Sequence, residues 1–119
     1  MITENQVPDI LGEELPEINN ELEKLPNLNN VYKTMQCFAE FTKRLANKKN
    51  LTAVKNCFNL AERMLEQGNN TVKNAVENIY VFSLSALIDM VSPIQEQVKK
   101  MLPENIKNVH LKQVMTSYP

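Results

Sequence analysis

The chain has no tryptophan, two glycines, two cysteines and a single histidine in 119 residues, and aromatic residues make up only 6%. Each scarcity excludes something. With so few rings, the core has to be aliphatic, assembled from Leu, Val, Ile and six Met, whose flexible thioether fills irregular gaps. The glycines, Gly12 and Gly68, are far apart, so no glycine-rich loop is available to cradle a phosphate. His110 has no Cys, Asp or Glu three or four residues away, which makes it a poor metal ligand, and Lys107 and Lys112 beside it would repel a cation. Cys37 and Cys57 do not form a Cys-x-x-Cys pair, and a cysteine nucleophile would want a nearby His. No apolar run approaches the roughly 18 residues of a membrane span. Met1 to Asn5 lacks both the basic and the apolar region of a secretory signal. The expectation is a cytoplasmic protein with free, buried thiols, no cofactor and no metal.

A chain of this length is near the commonest domain size and buries roughly two-thirds of its unfolded surface. Apolar residues at 43% and charged residues at 23% are ordinary for a globular protein. The net charge of −1 argues against a general nucleic-acid binder. Its distribution is uneven. Residues 1–24 hold seven acids against Lys24, a net of −6, and the remainder carries twelve bases against seven acids, a net of +5. We read one domain, with 1–25 an acidic helical arm and 30–116 the core helices.

What the chain has in abundance is asparagine, sixteen in all. Asn competes for backbone hydrogen bonds and suits caps and turns better than helix interiors. The clusters Asn27 to Asn30, Asn47 to Asn50 and Asn69-Asn70 therefore read as punctuation. Between them, apolar residues recur at helical spacing. Ile10, Leu11, Leu15, Ile18, Leu22 and Leu25 make the arm's stripe, interrupted at Pro16. Helices follow over about Val31 to Lys48, capped by Asn30, and about Leu51 to Gln67, ended by Gly68. The next, about Thr71 to Val91, is apolar nearly all round from Ile79 onward, the pattern of a helix buried on every side. It belongs at the centre. Ser92-Pro93 starts a short helix to Leu102, and a last one runs from about Pro103 to Thr116. No segment alternates with period two. The fold class is all-α, five to six helices in an antiparallel array or a compact bundle around helix 71–91.

The pair Cys-Phe occurs at Cys37-Phe38 and again at Cys57-Phe58. The echo places Phe38 and Phe58 as equivalent anchors on neighbouring helices, both buried against the central one.

The carboxylates at helical spacing, Glu62 and Glu66 among them, lack the Glu-x-x-His pairs of a di-metal bundle and read as solvated faces. Asn70, Asn74 and Asn78 are different. Three Asn at i, i+4 and i+8 reduce helix stability, which a hydrogen-bonding ladder to a neighbouring helix or a partner would explain. Glu62, Glu66, Asn70, Asn74, Glu77 and Asn78 are thus the candidate partner surface, and no catalytic residue is assigned.

Asn30-Val31-Tyr32, Lys55 to Glu62, and above all Gly68 to Asn78, with Ser83-Leu84 and Leu102-Pro103, resemble a family of small bacterial proteins of unknown function. The resemblance implies a helical single domain and brings no catalytic residues. The reading is a non-enzymatic module whose partner is another protein, with no nucleic acid and no membrane, and with homo-oligomerisation left open. One narrower version is an immunity- or antitoxin-like inhibitor of that partner. The other class is a small-ligand binder or enzyme with an unrecognised site, for which Tyr80, Ser83 or Ser85 would supply polar groups beside the central helix.

Overall fold

The computed structural model describes residues 1–25, 30–89 and 93–116, and within them the side chains of all but residues 86, 87, 89, 93–95 and 116. It is all-α. Helices α1 (Val7–Glu14) and α2 (Asn19–Leu22), each preceded by a 3₁₀ turn, form the arm. Then come α3 (Val31–Asn47), α4 (Leu51–Gln67), α5 (Asn70–Ala75), a π segment (Val76–Val81), α6 (Phe82–Asp89), α7 (Pro93–Lys100) and α8 (Glu104–Thr116). Ser92, expected as a helix cap, lies outside the described residues, as do Met90 and Val91.

The asparagines do the capping. Asn30 Oδ1 accepts from the amides of Tyr32 and Lys33 at 3.0 and 3.3 Å. Asn50 accepts from the Ala53 amide at 3.3 Å and Asn69 from the Val72 amide at 2.9 Å. Three helix starts thus satisfy amides that have no partner within the helix. The turn from α3 to α4 is a Schellman arrangement, with Asn50 N–H on the Leu45 carbonyl and Lys49 N–H on that of Ala46, both at 2.9 Å. Lys49 supplies its left-handed residue, φ 62°.

Gly68 ends α4 differently. Its φ of −75° is open to any residue, so conformation is not why glycine stands there. A Cβ would lie 2.5 Å from the Met64 carbonyl and 2.7 Å from Val72 Cγ1. The close neighbour on its other side is the N-terminal segment. Ile2 bridges to Gly68, its amide on the Gln67 carbonyl at 2.7 Å and its carbonyl receiving the Asn69 amide at 2.8 Å. Glu4 adds a bond from the Asn69 side chain. The first residues strap the turn between α4 and α5.

The continuous helix α5–π–α6 is central, as its apolar sequence predicts: Val72, Ala75, Val76, Tyr80, Val81, Leu84 and Ile88 are buried. It packs on α3, α4 and α8. Phe38 and Phe58 are both fully buried. Phe38 stacks on Tyr80, ring centroids 4.3 Å apart and planes 22° from parallel. One expectation fails. The helix is not buried on every side, because Phe82 is 67% exposed. In a π segment each turn takes in an extra residue. Val76, Tyr80 and Val81 all reach the core, and Phe82 follows on the outer side.

Candidate functional site

The candidate surface separates into two parts with different roles. Glu62, on α4, accepts the amide of Asn105 through Oε2 and that of Ile106 through Oε1, each at 3.1 Å. Glu66, one turn on, accepts from the Asn105 side chain at 3.4 Å. Asn105 and Ile106 are in the first turn of α8, where unpaired amides and the positive end of the helix dipole favour a carboxylate. For Glu62 this corrects the reading of a solvated face, while Glu66 remains exposed. Glu62 is half-buried, and the pair fastens the last helix to the body.

Asn70, Asn74 and Asn78 are exposed, along one side of the central helix. No side chain among the described residues bonds to their amides, so a ladder to a neighbouring helix does not form there. Phe82 continues the row at the same spacing of four. Glu77, half-buried, lends its backbone carbonyl to Gln113 Nε2 of α8 at 2.7 Å. The outer face is therefore an amide row ending in an open ring. Sequence reasoning missed Phe82 because an apolar run carries no mark of the π turn within it.

Beneath that face lies a closed polar cluster. Thr42 Oγ1 and the Tyr80 hydroxyl are 2.9 Å apart, and Thr42 is also 2.9 Å from the Phe38 carbonyl, to which it donates. That leaves Tyr80 to donate to Thr42. Burial pushes the Tyr80 hydroxyl well above its ordinary range, with Cys57 nearby adding to the effect. The Cys57 thiol is raised to about 11, chiefly by burial, with the nearby Thr42 hydroxyl opposing the rise. Both groups are protonated at neutral pH. A thiolate is the reactive form, so Cys57 is inert there. Cys37 is half-buried rather than buried, and its thiol too is raised, first by burial and then by Glu21.

Of the polar groups considered for a small ligand, Tyr80 and Ser85 are engaged. Tyr80 is fully buried, and Ser85 Oγ lies 3.3 Å from the Val81 carbonyl and 3.4 Å from His110 Nδ1. Ser83 is half-buried. His110 is itself buried, 6% exposed. Open grooves instead follow the arm. One of about 320 Å³ lies between Glu14, Leu15 and the α4 residues Asn56, Asn59, Leu60 and Arg63. Another of about 400 Å³ lies where the strap meets α1. Among the described residues no three His, Cys, Asp or Glu gather as metal ligands would, and no helix is long and apolar enough to cross a membrane.

The model of a protein family, Domain of unknown function (DUF7674), matches residues 8–116. No curated protein matches the chain, and no solved structure does.

Proposed function

The chain belongs to the DUF7674 family, and we propose that it acts as a non-enzymatic module that binds another protein through the face of Asn70, Asn74, Asn78 and Phe82. The observation that carries this reading is Phe82, a large ring 67% exposed on the helix that otherwise forms the core. An isolated exposed apolar residue needs no explanation. This one ends a row of three amides that bond to no side chain among the described residues. Phe is among the residues enriched at protein interfaces relative to the rest of the surface. π turns are also over-represented at functional sites, and this one sets where Phe82 emerges.

Glu62 and Glu66 fix the first turn of α8. An inhibitor of the immunity or antitoxin kind is one form the module could take. No feature of the face favours it over other partners.

The test is quantitative capture from source lysate with the wild-type protein and with Phe82→Ser/Asn78→Ala. Both positions are exposed, so the variant keeps the helical circular dichroism of the wild type. The reading predicts at least one protein retained by the wild type and lost, tenfold or more, by the variant. Identical sets on the two columns would contradict it.

A further inference from the structure

Among the described residues, nothing covers the outer face of α8. Leu111 is 47% exposed and Met115 76% exposed. They stand one turn apart, with Lys107 one turn before Leu111 and Lys112 beside it, both exposed. This is an apolar ridge flanked by cations. Its complement is on the arm. The groove of about 400 Å³ where the strap meets α1 is lined by Met1, Ile2 and Ile10 together with Gln6, Asp9 and Glu13. Both acids are exposed. Arg63 also borders this groove, but its guanidinium leans to Glu14, Nη1 to Oε1 3.8 Å.

We propose that the α8 ridge of one copy docks in the strap–α1 groove of a second copy of this chain. The two surfaces match in charge. Asp9 and Glu13 stand one turn apart on one side of α1, and Lys107 and Lys112 flank the ridge about 140° apart around α8. Each flank of the ridge thus offers these acids a lysine of the other copy, while Leu111 and Met115 lie against Met1 and Ile10. Glu104, at the start of α8, is a turn farther from the ridge and leaves the pairing intact. Opposed charge gives such an interface its register more than its strength, and the apolar ridge supplies the burial. Each copy carries both halves, so the contact is made twice in a two-fold pair or repeats along a chain. With a net charge of −1, long-range repulsion between copies is small.

The proposal is independent of the Phe82 face. Its test is sedimentation velocity with light scattering across a concentration series, on the wild type, on Lys107→Glu/Lys112→Glu and on Asp9→Lys/Glu13→Lys. All four positions are exposed, and circular dichroism verifies that each variant is folded. Expected is a self-associating wild type, weakened by salt, with the dissociation constant raised at least tenfold in either variant. An equimolar mixture of the two variants should associate again, because the reversed ridge of one meets the reversed groove of the other. A wild type that is monomeric at every concentration would overturn the proposal. So would association unchanged in both variants, or a mixture that stays monomeric. Capture of a different protein by the ridge of a monomeric wild type would assign that surface to another partner and equally end the proposal.

Discussion

Thr42 Oγ1 serves two partners in a region closed to solvent, donating to Phe38 and accepting from Tyr80. Replacing it with Val keeps the shape and leaves the Tyr80 hydroxyl without its acceptor. That should cost about 1–3 kcal/mol, the penalty of a buried unpaired polar group. Tyr80→Phe should cost less, because Thr42 still bonds to the Phe38 carbonyl. The double variant should then lie close to Tyr80→Phe alone, so the cycle yields a favourable coupling of about 1–3 kcal/mol, the cost of the Thr42 replacement itself, in urea unfolding. Additive costs would contradict the pairing. This contact spans 38 residues of sequence and could not be read there. The Asn caps could, because a cap depends on a side chain and amides two or three positions away. Asn30, Asn50 and Asn69 were legible for that reason. Lys49 was not, since a lysine in the left-handed region runs against preference and only the tight α3–α4 turn requires it.

At the scale of elements, periodicity recovered the helices because each buries one stripe. The arm broke at Pro16 as expected, where a 3₁₀ turn, Pro16–Ile18, starts a new segment. What periodicity could not carry was the π segment, whose extra residue leaves an apolar run unchanged in composition. Nor could it show what Glu62 does, because a carboxylate reaching another helix looks the same in sequence as one facing solvent. Glu62 has a direct test. Glu62→Ala removes the acceptor from the first turn of α8 and should cost about 1 kcal/mol. Amide exchange should accelerate in residues 105–108 before it does in α4, and Glu62→Gln, which keeps an acceptor, should lose less. Equal protection of α8 in wild type and Glu62→Ala would show that packing alone holds the helix.

Taken whole, the molecule has a radius of gyration of 13.6 Å, against about 13.5 Å for a compact chain of this length. Its acidic arm was legible from charge alone: Asp9, Glu13, Glu14, Glu17 and Glu23 are exposed. The strap was not, because Ile2 meets Gly68 through backbone bonds that any residue could make. The candidate surface was half legible. Asn70, Asn74 and Asn78 share an open side as their spacing implied, Glu62 and Glu66 bond to the first turn of α8, and Phe82 joined from a run that read as buried. That face is the centre of the account, and crosslinking tests it most directly. A photoreactive phenylalanine analogue placed at position 82, and at the exposed Lys55 on α4 as a control, would be irradiated in cells of the source. The account predicts a discrete protein adduct from position 82 that is absent from position 55. Irradiation that yields no adduct at 82, or the same adducts from both positions, would contradict it.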